Sequence, residues 1–348
     1  MTSDEAVGIV GNDVPRQLVL AAGMIPRRLT GSWNGDVGDR AAELLGSVDA
    51  VAARILTGIL GRTESLSAII VCNDSQAHLR LFYVLRMLRT EGFPPVHLVD
   101  LPRRDSPAAR RFATIQLQQL AGFLSEVCGH ALDSTGLRTA AHAEIRLADA
   151  VARLRQRRRS VPSSVLGGTA LRALSAVMSR QVDDAVAIVD SARDEPRPSA
   201  QRVHLTGSAH PDASLYDALE MTGMVVVSDD HDTADLAWVG AAVVADGLEE
   251  VCAGLAALHF SRDPASAVGL VSERAAASLA RAVHARADVA VSLLRPFDDA
   301  PLWDAAETRA ALATVGIPFV LHSRVDGADA STLAQAIASD INSERERP

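Results

Sequence analysis

Cysteine, aspartate and histidine are the side chains here that could bind iron or move protons, and their spacing limits what each can do. The chain carries three cysteines, Cys72, Cys128 and Cys252. They lie far apart, with no CxxC pair and no histidine at ligand spacing, so neither a disulfide framework nor a local zinc site follows. Cys128 and Cys252 fall on apolar faces of helical segments and read as core residues, the usual fate of a free cysteine. Cys72 differs, because Leu66 to Val71 is an apolar run of strand length and Cys72-Asn73-Asp74 stands at its end. A ligand or reactive thiol is useful there. The carboxylate candidates are Asp74, Asp229 and Asp230 of the run Asp229-Asp230-His231-Asp232, and Asp299 of the pair Asp298-Asp299. Such groups move protons, bind metals or cap helices. Arg103 and Arg104 offer guanidinium forks that suit phosphate oxygens.

Elements must bring these residues together. Val14 to Gly23 reads as a short helix with Pro15 near its first turn and Gly23 past its last, and Pro26 holds Met24 to Leu29 extended. Residues 66 to 99 form a β-α-β unit: a strand, an N-cap in Asn73-Asp74-Ser75, a helix stopped at Gly92, and the strand Val96 to Val99. From about 107 to 158 the pattern is helical, with Gly129 ending one helix and Asp133 or Ser134 beginning the next. The arginines from Arg153 to Arg159 close that second helix, and cations in a last turn read as a solvated helix end. After the linker Asp194-Glu195-Pro196-Arg197-Pro198-Ser199 a second α/β series begins. Its strands are Arg202 to Leu205, Met224 to Val227, Val289 to Leu294 and Phe319 to His322. The expected fold is therefore α/β, two Rossmann-like or flavodoxin-like lobes with parallel sheets and additional helices, over residues 1–195 and 196–348.

The halves echo each other. A strand leads to Asp74, a helix, Gly92-Phe93-Pro94, a strand, then Arg103 and Asp105. Later a strand leads to Asp299, a helix, Gly316-Ile317-Pro318, a strand, then Arg324 and Asp326. Related units place their strand ends, and so Asp74 and Asp298-Asp299, along carboxyl edges that border a cleft between lobes, and Asp229, Asp230 and Asp299 join Asp74 as the cleft-edge candidates.

Composition narrows the function. The 348 residues carry a net charge of −9, the wrong sign for a phosphate-backbone binder, and only 3% are aromatic, too few for base-stacking platforms. No partner nucleic acid is expected. The acidic start lacks a leader's apolar core and no run of ~18 apolar residues exists, so no membrane span and a cytoplasmic location are expected. The dinucleotide glycine series, the P-loop and the G-x-S-x-G elbow are all absent.

With these residues in place, the chain resembles the 2-hydroxyacyl-CoA dehydratase family, which includes the benzoyl-CoA reductase subunits. The resemblance rests on Val14-Pro15 to Ala21-Ala22-Gly23-Met24-Ile25-Pro26, Cys72-Asn73-Asp74, Leu101-Pro102 with the long helices after it, Gly207-Ser208, Gly223 to Asp229-Asp230, and Gly316-Ile317-Pro318. It implies a two-lobed subunit paired with a related dehydratase subunit, an acyl-CoA substrate, a [4Fe-4S] cluster held by cysteines between the lobes, and an ATP-dependent iron–sulfur activator protein. Cys72 matches the family's first cysteine, with Asp74, Asp229, Asp230 and Asp299 at the cleft and Arg103 and Arg104 toward CoA. The later cysteine positions correspond to Pro102 to Ser106 and Arg295 to Asp299, which hold none. The cluster is thus expected to be incomplete here or shared with the partner. The leading expectation is a cluster-deficient lyase subunit of a dehydratase-like complex. The alternatives are a non-catalytic ligand-binding or scaffold subunit, and an iron-free hydrolase or transferase using the cleft Asp and His residues.

Overall fold

The computed structural model describes residues 5–62, 65–264, 269–325 and 329–345. The first sheet is built from β1 (Ala6–Val10), β2 (Ile25–Arg28), β3 (Ala68–Cys72) and β4 (Val96–Val99). Between these strands run α1 (Arg16–Ala21), α2 (Asp39–Leu45), α3 (Ala50–Leu60) and α4 (Gln76–Leu88). Two long helices follow, α5 (Pro107–Cys128) and α6 (Ser134–Arg159), then α7 (Gly167–Val177) and α8 (Val182–Ser191). The second sheet takes β5 (Gln201–Gly207), β6 (Met224–Asp229), β7 (Val289–Leu294) and β8 (Phe319–Ser323). Its helices are α9 (Ser214–Met221), α10 (Leu248–Phe260), α11 (Val271–His284), α12 (Ala300–Ala313) and α13 (Ala330–Arg345).

All strand pairs are parallel. The sheets run β2-β1-β3-β4 and β6-β5-β7-β8, so each lobe places its strands second, first, third, fourth. This is the flavodoxin-like order, and it bears out the expected fold class. Every residue of β3 and of β7 is buried, because a parallel sheet covered on both faces needs continuous apolar strands rather than alternating ones. The units β3-α4-β4 and β7-α12-β8 hold the same place in their sheets, as the internal echo implies. Asp326 lies outside the described residues. In such sheets ligands gather where the strand order reverses, beyond the carboxyl ends of the first and third strands. Those ends are Val10 and Cys72 in one lobe, Gly207 and Leu294 in the other.

Residue 195 marks a linker but not a packing boundary. Helix α7 packs on α9 and β6 of the second lobe, and α10 returns to lie along α5 of the first. The apolar residues explain both: Leu171, Leu174 and Val177 join the second-lobe core, while Val251, Cys252 and Leu255 join the core beneath β1 and β3.

The arginine-rich end of α6 is only partly solvated, a correction to the sequence expectation: Arg153 is exposed, but the arginines after it turn inward. Arg158 is fully buried, its Nη2 lying 2.8 Å from Asp229 Oδ2 and its Nε donating to the Val226 carbonyl at 2.9 Å. Arg159 reaches Asp235 Oδ2 at 2.9 Å, and Arg155 donates to the Asp235 carbonyl at 2.7 Å. The reason is helical phase. Residues 155, 158 and 159 share the face turned to the second lobe, while Arg153 and Arg157 face Asp190 and Val189 on α8.

Candidate functional site

A cleft of about 110 Å³ lies where the carboxyl edges of both sheets meet. The chain beyond β1, β2 and β3 contributes Gly11, Arg28, Asp74, Ser75 and His78; the chain beyond β5, β6 and β7 contributes Ala209, Asp232, Arg295 and Asp298. Gly11 has φ +97°, and a Cβ there would meet Asp74 and Cys72 at 2.5 Å. Only glycine lets the β1 turn approach the end of β3 so closely.

Two ion pairs cross the cleft in opposite senses. Arg28 of the first lobe meets Asp232 of the second at 3.0 Å. Arg295 of the second meets Asp49, the N-cap of α3, through Nη2 at 2.9 Å and Nε at 3.0 Å. Asp298 stands 3.6 Å from Arg295, and burial, which the Arg295 charge only partly offsets, pushes its carboxyl above the usual range. Asp74 accepts from the Asn12 N–H at 2.8 Å on one oxygen and meets His78 Nδ1 on the other. Burial works to lower the His78 pKa, but the Asp74 carboxylate outweighs it and the net direction is up. A larger chamber of about 620 Å³ adjoins the cleft and shares Arg28, Leu29, Thr30 and Ile55 with it. Its floor includes Ile59, Leu66 and Phe93, with Arg54 and Arg62 at its walls.

Of the residues singled out in the sequence, Asp74 reaches the cleft. Asp229 sits behind it, wholly buried; burial alone would raise its pKa, but Arg158 holds it far below the usual carboxylate range. Asp230 turns the other way, accepting from Thr206 Oγ1 at 2.7 Å beside Arg274 and Asp304. Asp299 is exposed at the start of α12, where its side chain makes no capping bond; Asp298 lines the cleft instead. Arg103 is drawn inward to Asp13 at 3.0 Å and to the Asn73 carbonyl, while Arg104 is exposed on the loop after β4.

Arg28, Asp49, His78 and Arg295 are the site residues that sequence patterns passed over. Each is a lone polar residue at a strand or helix end. Strand order, rather than any motif, gathers them.

A [4Fe-4S] cluster needs several thiolates converging on one point. Cys72 is fully buried at the end of β3, and its Sγ accepts a hydrogen bond from the Asp13 N–H at 3.2 Å. Burial, with Asp74 and Asp13 nearby, pushes that thiol well up, so it stays neutral. Cys252 is buried in α10, its pKa pushed up to about 12 by burial, and Cys128 ends α5. Arg103 and Arg295, in the two cysteine-free stretches noted in the sequence, are each closed onto a carboxylate. Among the described residues no three His, Cys, Asp or Glu side chains group as metal ligands. The donor set does not fit the cluster.

The fold and the site define a doubly wound, two-lobed α/β protein with a charged crevice at its strand ends. Its sequence matches the family described as "2-hydroxyglutaryl-CoA dehydratase, D-component" over residues 12–336, and the chain belongs to that family. It is similar to the beta subunit of (R)-2-hydroxyglutaryl-CoA dehydratase from Acidaminococcus fermentans, 25% identical over 138 residues. That stretch is 38% of this chain and spans 35% of the relative's length. Among the described residues no helix is long and apolar enough to cross a membrane.

Proposed function

We propose that this chain is a cluster-deficient subunit of a 2-hydroxyacyl-CoA dehydratase-like assembly. It complements a related subunit that carries the iron–sulfur chemistry, and any ATP-dependent activator acts on that partner. One observation carries the reading: Arg295, in the stretch corresponding to a family cysteine, is locked to Asp49 across the cleft, while Cys72 is buried and neutral. An arginine–carboxylate pair cannot replace thiolate ligands. The cleft and its adjoining chamber are kept for an acyl-CoA, with the acyl chain against Ile59, Leu66 and Phe93 and the phosphates toward Arg62 at the chamber wall.

Anaerobic reconstitution with iron and sulfide tests this. The chain alone is expected to develop no iron–sulfur absorption in the visible, and the chain co-expressed with a cysteine-bearing family subunit is expected to show it. A cluster assembled on the isolated chain, and lost in Cys72→Ser, would overturn the proposal. A second reading, a non-catalytic ligand-binding or scaffold subunit, draws on the small cleft whose arginines are already paired. Acyl-CoA binding with no cluster alone or in company is the outcome that favours it.

A further inference from the structure

The cleft contains one arrangement suited to chemistry that needs no iron. Asp74 and His78 stand four residues apart across the start of α4, with Asp74 Oδ1 on His78 Nδ1. Asp74 is itself fixed by the Asn12 N–H, so the carboxylate holds the imidazole in one orientation and selects the Nδ1–H tautomer. His78 Nε2, the nitrogen left as acceptor, makes no hydrogen bond among the described residues, and the ring lines the cleft with a fifth of its surface exposed. Beside it lies the Arg28 guanidinium, common to cleft and chamber, held by Asn12 Oδ1 and by Asp232, with its Nε–H buried and unpartnered among the described residues. A carboxylate, an oriented imidazole with a free lone pair, a cation and an apolar chamber thus meet at one junction.

We propose that the Asp74–His78 pair is a general-base dyad that removes a proton from carbon 2 of an acyl thioester lying between cleft and chamber. The inference rests on the acyl-CoA reading of this cleft and adds the reaction. The C2–H bond breaks and an N–H bond forms at His78 Nε2. The C–H electron pair becomes the carbon–carbon double bond of an enolate, and the carbonyl π pair moves to oxygen, facing Arg28. The imidazolium is paired with Asp74. Reversal returns a proton from His78, which has exchanged with solvent. No oxidant or reductant enters. A positioned imidazole contributes roughly 100- to 10,000-fold to such a transfer.

The experiment places the full chain with butyryl-CoA in D₂O and follows deuterium gain at carbon 2 by mass spectrometry and proton NMR, with calorimetric binding in parallel. Exchange is expected above the buffer rate, rising with pH as His78 loses its proton. The groups facing His78 are Asp74 on its own segment, Arg28 from β2 and Asp232 from the loop after β6, with Asp49, Arg295 and Asp298 lining the same cleft. Asp74→Asn removes the carboxylate that raises the His78 pKa, so the midpoint of the pH profile should fall. His78→Ala should lose the exchange by roughly 100-fold or more and regain part of it with added imidazole, while Cys128→Ser leaves it unchanged. Tight butyryl-CoA binding with no exchange, or exchange indifferent to His78→Ala, overturns the dyad and leaves the acyl-CoA reading standing. An absence of binding overturns both.

Discussion

Side chains at the strand ends behave according to what surrounds them. Cys72 and Cys252 are completely buried and their thiols are pushed up, Cys252 to about 12, whereas Cys128 ends its helix half-buried. Nucleophilic reactivity follows the thiolate fraction and access. A disulfide reagent applied to the folded chain at neutral pH is therefore expected to titrate a single thiol quickly, assigned to Cys128 by peptide mapping. All three should react once the chain is unfolded. Rapid modification of Cys72 in the native state would contradict the buried, neutral thiol and reopen its candidacy as a ligand. Asp13 presents the opposite case: burial would raise its pKa, but Arg262 and Arg103, at 2.7 and 3.0 Å, hold it below the ordinary carboxylate value.

The basic end of α6 shows how helices carry such residues across the molecule. Arg158 and Asp229 form a pair with both side chains out of water, so removing one partner leaves an uncompensated charge. Asp229→Asn is expected to cost about 3–5 kcal/mol in a denaturant unfolding experiment. A loss below about 1 kcal/mol, the scale of exposed pairs, would mean that the network is solvated after all. Asp229 and Asp13 are both depressed, so each contributes stability that is fully present above the unfolded carboxylate value, about 4, and is lost as pH falls through the folded value. Thermal unfolding between pH 7 and 3 should thus show a gradual decline from about pH 6.5, as the unfolded chain protonates histidines such as His204 and His210 that burial keeps neutral, and a steeper one below about pH 4 that Asp229→Asn makes shallower. Much of the element plan was legible in the sequence, because local chemistry sets it. Ser106, Asp133 and Gly129 cap α5 and α6 where their types imply, and residues 66 to 99 form the expected β-α-β unit. Strand β1 escaped notice because Ala6-Val7-Gly8-Ile9-Val10 is short and broken by a glycine. The arginine face escaped because its partners, Asp229 and Asp235, lie some 70 residues onward, and no local pattern encodes which of two helix faces meets them.

For the molecule as a whole, a repeated strand order is what puts a site between lobes. Each sheet reverses at its first and third strands, so two copies set edge to edge bring Gly11 and Asp74 opposite Ala209 and Arg295. That geometry follows from topology, which is why the cleft could be expected from an internal echo while its members could not. Asp49 enters from a helix start, Arg28 from an extended segment, and Asp298 rather than Asp299 points inward, a choice made by the turn in which Phe297 takes φ +65°. The reciprocal pairs Arg28–Asp232 and Arg295–Asp49 then hold the lobes at their present separation. Arg295 makes the stronger latch: it is bidentate to Asp49, donates to the Ala209 carbonyl, and is largely buried. Arg295→Leu keeps the side-chain bulk but strands Asp49 without a cation, so a loss of about 3–5 kcal/mol is expected. The double variant Arg295→Leu with Asp49→Asn should recover most of it, because asparagine keeps the N-cap of α3 while removing the orphaned charge. Small-angle scattering should report a larger radius of gyration for the single variant than for either the parent or the double. Equal stability and equal radius in all three would show that the lobes are held by the shared packing of α6 and α10, with the ion pairs merely lining the space between them.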